Sequence, residues 1–201
     1  MIVGLLLAAG GARRFKAQKL VAPLRGVPLV RRAATALAEA TDGMVVVVGA
    51  DSQAVRAALS GLDATVVENA DWARGLSTSL RCGILALPAE CEATVVGLGD
   101  QPGVDSRVIA DVVQLWKTTR LPIVSARYRG VRGHPVLFAR AVFQELAELA
   151  GDAGARLLIE RSGERVAYVD VDADVPKDVD TPEVLAELET DGESTLGGER
   201  E

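Results

Sequence analysis

The sequence predicts an α/β domain with a mostly parallel sheet covered by helices on both faces, and three observations lead to this fold class. Short runs rich in Val, Ile and Leu alternate along the chain with segments whose apolar residues recur at helical spacing. Most of the short runs are continuously apolar, as expected for strands that are covered on both faces. Hydrophobic residues make up 49% of the chain but aromatic residues only 3%, so the core has to be aliphatic.

Six strands and five helices are predicted in alternating order. The strands are Ile2–Ala8, Met44–Val48, Ala64–Val67, Ala93–Leu98, Pro122–Ala126 and Arg165–Val171. The helices are Leu29–Ala40, Ser52–Leu59, Ser77–Leu87, Arg107–Thr118 and Arg140–Leu149. Asp51 and Asp105 occupy positions that suit helix N-caps. Because ligands bind at the carboxyl ends of the strands in such sheets, we expect a site in the loops after Ala8, Val67, Leu98 and Ala126.

The chain is expected to form one domain over residues 1–189, followed by a disordered tail over residues 190–201. A length of 201 residues suits a single domain with a sizeable core. The last twelve residues, TDGESTLGGERE, are polar, charged and rich in glycine, which is typical of a segment without a packed core.

Charge and cysteine content argue against several classes of protein. The formal net charge is −6, so no broad basic face is available for nucleic acid. Cys82 and Cys91 have no metal-site spacing and the chain has a single histidine, which argues against a zinc site; two reduced thiols are expected, with a disulfide as the alternative. No apolar run approaches the roughly 18 residues of a membrane span, and the first run lacks the features of a signal peptide. We therefore expect a cytoplasmic protein that contacts no membrane.

The loop after the first predicted strand, AAGGARRFKAQKL, is rich in glycine and cations. Gly10 and Gly11 allow backbone N–H groups to approach an anion closely, and Arg14 and Lys19 can supply positive charge to a polyphosphate. A tight turn with solvated cations is the alternative, but so many cations in an acidic chain favour phosphate binding. The loop lacks both the dinucleotide fingerprint G-x-G-x-x-G and the Walker A pattern, so it predicts a phosphate loop of another kind.

Carboxylates at two further positions suit a magnesium site. Asp100 lies between Gly99 and Pro102 at the end of a predicted strand, where it is either a Mg²⁺ ligand or an Asx-turn residue. Asp178 and Asp180 are two residues apart, so they share a face if the segment is extended. The alternative for this second segment is simple capping of a last helix that begins near Pro182.

Together these segments resemble the signatures of the MobA-like nucleotidyltransferase family, and the resemblance spans residues 2–189 in order. The first loop is similar to L-A-A-G-x-S-x-R-x-G-x-x-K, GDQP to the metal motif G-D-x-P, and KDVDTPEVL to D-[IV]-D-T-P-E-D. The first loop departs from the pattern at Ala12, where the family often has serine, and at Lys16, where it usually has glycine. The resemblance implies a Rossmann-like three-layer α/β/α nucleotidyltransferase fold.

The resemblance also implies roles for individual residues. Arg14, Lys19 and Asp100 are the expected catalytic residues, and Asp178 or Asp180, the former slightly preferred, completes the metal site with Asp100. NADWARGLSTSL is similar to a family segment that helps to recognise the base, with capping by Ser77 and Thr78 as the alternative. The nucleotide-binding residues are then Leu7, Ala8, Ala9, Gly10, Gly11, Lys19, Asn69, Gly75 and Ser79.

Two segments resemble the side of the family's molybdenum-cofactor branch that faces the second substrate. RGHPVLF contains His134, and GDAGAR contains Asp152 and Arg156. The resemblance implies that these three residues bind the acceptor. The alternatives are a turn residue for His134 and an exposed first-turn helix residue for Arg156.

The chain resembles the molybdenum cofactor cytidylyltransferases most. This resemblance implies transfer of CMP from CTP to the phosphate of molybdenum-bound molybdopterin, with release of pyrophosphate and with Mg²⁺, or else Mn²⁺, as the cofactor. Ala9 favours CTP over GTP, since the GTP-using branch commonly has glycine there. A molybdenum hydroxylase or its accessory chaperone is the protein partner that the resemblance suggests. An NAD(P)H-dependent oxidoreductase of the nicotine blue oxidoreductase type and a non-catalytic molybdenum-cofactor chaperone are the alternatives.

Overall fold

The computed structural model describes residues 1–11, 15, 18–151 and 154–191. Within them, nine strands are present: β1 Ile2–Ala8, β2 Pro23–Leu24, β3 Val27–Pro28, β4 Gly43–Val48, β5 Thr65–Glu68, β6 Ala93–Leu98, β7 Ile123–Tyr128, β8 Val131–Ala139 and β9 Val166–Val171. The same residues form seven α-helices: α1 Leu29–Ala38, α2 Ser52–Ala58, α3 Leu76–Leu85, α4 Ser106–Thr119, α5 Phe143–Ala147, α6 Arg156–Ser162 and α7 Pro182–Asp191. Arg14, Asp152, Ala12 and Lys16 lie outside the described residues.

Seven strands form one sheet in the order β5-β4-β1-β6-β8-β7-β9, and β2 and β3 form a separate two-stranded ribbon. All neighbouring pairs in the large sheet are parallel except those that involve β8, which is antiparallel to both β6 and β7. The mostly parallel α/β fold expected from the sequence is therefore confirmed.

Two aliphatic cores cover the two faces of the sheet, because successive side chains of a strand point to opposite faces. Ile2 and Leu6 of β1 pack with buried residues of α1, α2 and α4, whereas Val3 and Leu5 pack with residues of α3, α5 and α6. The chain thus has the three layers expected of this fold class.

The six predicted strands are all present, with ends that differ by at most two residues, but β8 and the two short strands β2 and β3 were missed. The alternative of a turn residue for His134 is wrong, since this residue lies within β8. Here β7 and β8 change register, with Ser125 opposite Val136 and Ala126 opposite Gly133, so His134 and Pro135 have no partner on β7. Such a bulge tolerates a proline that lacks an N–H.

The helix predictions hold with three corrections. The segment 140–149 begins with a 3₁₀ turn, and its α-helix covers only Phe143–Ala147. Asp105 accepts a hydrogen bond from the Arg107 N–H as an N-cap, but Asp51 makes no side-chain cap bond. The final helix extends through Asp191, so residues 190 and 191 belong to a helix and not to the expected tail, whose other residues lie outside the described ones. In the described part of the chain, every helix is too short or too polar to cross a membrane.

Candidate functional site

The candidate residues meet at one edge of the sheet. Strands β1, β4, β5, β6 and β7 run parallel, so the loops that follow them emerge on the same side. Because β8 runs in the opposite direction, it begins at this edge and brings His134 there. The sheet topology thus joins segments that are far apart in the sequence.

The loop after β1 is held against the neighbouring loop after β4. Ala50 donates its N–H to the carbonyl of Ala9 at 3.0 Å, and Gln18 Nε2 donates to the carbonyl of Ala50 at 2.7 Å. A Cβ atom on Gly11 would meet the ring of Trp72 at 3.0 Å, whereas one on Gly10 would meet no atom within 4 Å. Trp72 therefore packs over the glycine loop, and Gly10 leaves open space beside it.

Lys19 joins two of the predicted metal ligands. Its Nζ donates to Asp100 Oδ2 and to Asp180 Oδ1, each at 2.7 Å. The Lys19 side chain is 10% exposed, that of Asp100 23% and that of Asp180 56%. Although burial opposes the charged form, the two carboxylates raise the pKa of Lys19 above its usual value. The ammonium group is therefore a permanent charge at this position.

The segment that carries Asp178 and Asp180 is fastened to the loop after β6. The N–H of Val179 donates to the carbonyl of Asp100 at 2.9 Å, and Gln101 Nε2 donates to Asp178 Oδ1 at 2.8 Å. Desolvation and the nearby charge of Asp100 raise the pKa of Asp178, against the effect of the Gln101 hydrogen bond. Of the two candidates, Asp180 shares the Lys19 ammonium with Asp100, while Asp178 points to Gln101.

The donor set at this edge suits a hard divalent cation. Mg²⁺ prefers oxygen ligands and usually takes one or two carboxylates together with substrate phosphates. Asp100, Asp178 and Asp180 supply such oxygens next to the glycine loop. Among the residues that the structure describes, no group of three or more His, Cys, Asp and Glu side chains could hold a metal ion. One or two of these carboxylates fit a cation that takes its remaining ligands from a substrate phosphate and water.

The expected base-recognition segment holds the start of α3 in place. Asn69 Nδ2 donates to Thr78 Oγ1 at 2.9 Å and to Ser79 Oγ at 3.0 Å, and its Oδ1 accepts from the Asp71 N–H at 3.0 Å. Ser79 is only 4% exposed. This placement favours a positioning role for the Asn69 and Ser79 side chains over direct contact with a base.

The alternative of helix capping by Ser77 and Thr78 is wrong in detail. The N-cap of α3 is Gly75, whose φ of 115° favours glycine. Thr78 Oγ1 donates instead to the Gly75 carbonyl at 2.9 Å and also to that of Asp71 at 3.1 Å. The backbone conformation at residue 75 thus explains why this residue is a glycine.

A cavity of about 530 Å³ opens between β8, α3 and α6, next to the carboxylates. Its apolar wall is formed by residues including Leu7, Leu80, Val96, Val136, Phe138 and Ile159. His134 and Arg156 line the cavity, and Gln101, Asp178 and Arg132 add polar groups.

The polar groups of this cavity differ in charge and in solvent exposure. Burial lowers the pKa of His134 to about 4, so its imidazole is neutral at pH 7. Tyr128 donates its hydroxyl hydrogen to the His134 carbonyl at 2.7 Å. The side chain of Arg156 is 70% exposed and lies 3.8 Å from Glu160, which also accepts from Arg132 at 3.2 Å. Arg156 is thus an exposed residue in the first turn of α6, and it also lines the cavity.

Sequence reasoning did not select Gln101 and Arg132 as site residues. Gln101 immediately follows Asp100 in the GDQP motif, and Arg132 precedes His134 by two residues. Both positions therefore lay inside motifs that had been recognised, and alternation along β8 could have placed Arg132 and His134 on one face.

Comparisons with known proteins agree with this architecture. Residues 4–166 match the family described as the MobA-like NTP transferase domain. The chain is 32% identical over 198 residues to the nicotine blue oxidoreductase of Paenarthrobacter nicotinovorans, covering 93% of this chain and 96% of that protein. The crystal structure of Rv0371c from Mycobacterium tuberculosis superposes with a TM-score of 0.85 at 30% identity, covering 94% and 97% of the two chains. A complex of that protein with manganese gives a TM-score of 0.79 at 32% identity, covering 94% and 98%.

Proposed function

Because the chain belongs to the MobA-like NTP transferase family, we propose that it transfers CMP from CTP to the phosphate of molybdenum-bound molybdopterin. The observation that carries this proposal is the Lys19 ammonium between Asp100 and Asp180, next to the glycine loop. A cation pair of this kind, one lysine and one divalent metal, is what a triphosphate needs for charge neutralisation. The manganese complex of a similar chain supports the metal part of the proposal.

The reaction is an in-line displacement at the α-phosphorus of CTP. An oxygen of the acceptor phosphate forms the new P–O bond, the bond from the α-phosphorus to the bridging oxygen breaks, and pyrophosphate leaves with the electron pair. An acceptor phosphate is already ionised at pH 7, so no strong base is required. The neutral His134, whose pKa lies at about 4, is consistent with a role in binding the acceptor.

The barrier of this reaction is electrostatic, since two anions have to meet. Lys19, together with Arg14, would hold the triphosphate, and Asp100 with Asp178 or Asp180 would hold Mg²⁺ or Mn²⁺. When bound, this cation supplies Lewis-acid neutralisation of the phosphoryl charge. Leu7 to Gly11 would supply the backbone surface around the nucleotide, supported from behind by Asn69, Gly75 and Ser79.

The cavity beside the carboxylates is the proposed acceptor site. It combines an apolar wall with His134 and with the guanidinium groups of Arg132 and Arg156 at its mouth. A flat ring system that carries a phosphate fits this cavity, because the apolar wall can pack against the ring and an arginine can bind the phosphate. Asp152, the third expected acceptor residue, remains a prediction from the sequence.

NAD(P)H-dependent oxidation or reduction is the second candidate function, and one observation favours it. The similar protein from Paenarthrobacter nicotinovorans is named an oxidoreductase and matches nearly the whole chain. Against this candidate, the loop after β1 lacks the G-x-G-x-x-G fingerprint of dinucleotide-binding folds. We therefore place it second.

A transfer assay separates the two candidates. The protein is incubated with CTP, Mg²⁺ and molybdenum-loaded molybdopterin, and pyrophosphate and the cytidylylated product are measured by mass spectrometry. We expect product with CTP, less with GTP, and none from Asp100→Asn. Oxidation of NADPH with nicotine blue, without any transfer product, would contradict the proposal and favour the oxidoreductase.

A further inference from the structure

Lys19 holds one oxygen of each of two carboxylates that were predicted as ligands of a divalent cation. Its Nζ lies 2.7 Å from one carboxylate oxygen of Asp100 and 2.7 Å from one of Asp180. Asp100 and Asp180 lie 81 and 161 residues from Lys19 in the sequence, so this contact depends on the tertiary fold. Lys19 is only 8% exposed, which makes the ammonium an internal part of the site.

A metal ion would compete with this ammonium group for the same two carboxylates. Mg²⁺ binds oxygens at about 2.0–2.1 Å and tolerates little distortion, so an ammonium group that holds one oxygen of each carboxylate restricts how the ion can bind them. Two cations that share these oxygens repel strongly where solvent is partly excluded. Among the described residues, no group of three or more His, Cys, Asp and Glu side chains, the carboxylates around Lys19 included, could hold a metal ion.

We propose that Lys19 is a resident cation that weakens metal binding by the nucleotide-free protein and moves to the triphosphate when the nucleotide binds. This inference rests on the proposed function for the identity of the anion. Lys19 begins a 3₁₀ turn, Lys19–Val21, at the far end of the loop that starts with Gly10 and Gly11. Its flexible side chain would therefore let the ammonium group contact either the two carboxylates or a triphosphate bound at the loop.

The consequence is that binding of the nucleotide and binding of the metal ion are coupled. A triphosphate that draws Lys19 away frees Asp100 and Asp180, so nucleotide binding strengthens metal binding. By thermodynamic linkage, the metal strengthens nucleotide binding by the same factor. The protein then avoids holding a metal ion without its substrate.

Direct measurement of Mn²⁺ binding without nucleotide tests the proposal. Electron paramagnetic resonance counts free Mn²⁺ during titration of the wild-type protein, Lys19→Met and the control Lys117→Met. Methionine keeps the length of the side chain but removes its charge, and Lys117 lies exposed in the last turn of α4. We expect Lys19→Met to bind Mn²⁺ at least about tenfold more tightly than wild type, or ~1.4 kcal/mol, and Lys117→Met to match wild type. Equal or weaker Mn²⁺ binding by Lys19→Met would overturn the proposal.

A second measurement uses the wild-type protein, so it does not depend on the folding of a variant. Acetylation of lysine side chains is followed by mass spectrometry with and without saturating Mn²⁺, with Lys117 as the internal reference. We expect Mn²⁺ alone to increase the labelling of Lys19, because the metal displaces the ammonium from its two carboxylates. Labelling that Mn²⁺ leaves unchanged would show that Lys19 never vacates the site, and the proposal would fail.

These outcomes are distinct from failure of the proposed function. If wild type transfers CMP while Lys19→Met and wild type bind Mn²⁺ equally, only the resident-cation inference fails. A second set of results has the opposite meaning: Lys19→Met binds Mn²⁺ more tightly, neither CTP nor GTP enhances Mn²⁺ binding by wild type, and no transfer product forms. In that case the proposed function fails, while the exchange of Lys19 for a metal ion stands.

Discussion

Protonation of His134 is predicted to destabilise the folded protein below neutral pH. Burial lowers the pKa of this histidine from its usual 6.5 to about 4, although the charge of Asp100 opposes the shift. Between these two pH values the unfolded chain binds a proton that the folded chain does not, so unfolding becomes easier as the pH falls. The stabilising effect of a neutral His134 is fully present above pH 6.5 and is lost as the pH falls toward 4.

The magnitude follows from the two pKa values. Complete loss corresponds to roughly 3 kcal/mol, and about 2 kcal/mol of it is reached by pH 5. Urea unfolding at pH 8, 7, 6 and 5 measures this change in the free energy of unfolding. His134→Gln has no imidazole to titrate, so its stability should fall by about 2 kcal/mol less over the same range. Comparing the two proteins at each pH removes the contribution of carboxylates that titrate in both.

Proton NMR gives an independent measurement of the same quantity. His134 is the only histidine in the chain, so its ring signal is unambiguous. We expect no titration of this signal between pH 8 and 6. A midpoint near 6.5, together with parallel pH curves for wild type and His134→Gln, would refute the assignment of His134 as a ring that stays neutral in the folded protein.

The remaining predictions concern the carboxylates, the loop and the core. Asp100→Asn should abolish metal-dependent transfer while circular dichroism and the melting temperature stay close to wild type, and full activity in this variant would refute its role at the metal. Lys19→Ala should weaken CTP binding by at least about tenfold, measured by calorimetry at saturating Mg²⁺, and unchanged affinity would show that Lys19 does not hold the triphosphate. Gly83→Ala should lower the free energy of unfolding by about 1–3 kcal/mol, because its new Cβ atom would clash with the side chain of Leu5. Gly103→Ala is the matched control, since a Cβ atom there meets nothing within 4 Å, and equal urea midpoints for the two variants would contradict the packing argument.

The sheet and its order of elements could be predicted because burial on both faces leaves a plain signal in the sequence. Val45 to Val48 form an unbroken β-branched run and occupy an internal strand of the sheet. Strand β8 gave no such signal at its start, since Gly133, His134 and Pro135 are typical of turns. Only the register change opposite Ser125 and Ala126 lets these residues lie in a strand, and a register change depends on the partner strand.

The site could be predicted as a set of residues but not as a set of contacts. Motif resemblance and the predicted strand ends placed Lys19, Asp100 and Asp180 at one edge of the sheet. The bonds from Lys19 to both carboxylates depend on side-chain placement across more than eighty residues of chain, which local patterns do not encode. The same holds for Ser79, whose hydroxyl proved to be buried against Asn69.

Thermal unfolding with added ligands tests the assignment of a nucleotide and metal site most directly. Wild type and Asp100→Asn are melted with Mg²⁺ alone and with Mg²⁺ plus CTP, GTP or NADPH. A ligand at about 100 times its dissociation constant adds about 2.7 kcal/mol, which raises the melting temperature of a chain of this size by roughly 5–10 °C. We predict such a rise for wild type with CTP and Mg²⁺, a smaller one with GTP, and a reduced rise in Asp100→Asn. A rise with NADPH alone, equal in both proteins, would contradict the account and identify the site as one for a nicotinamide cofactor.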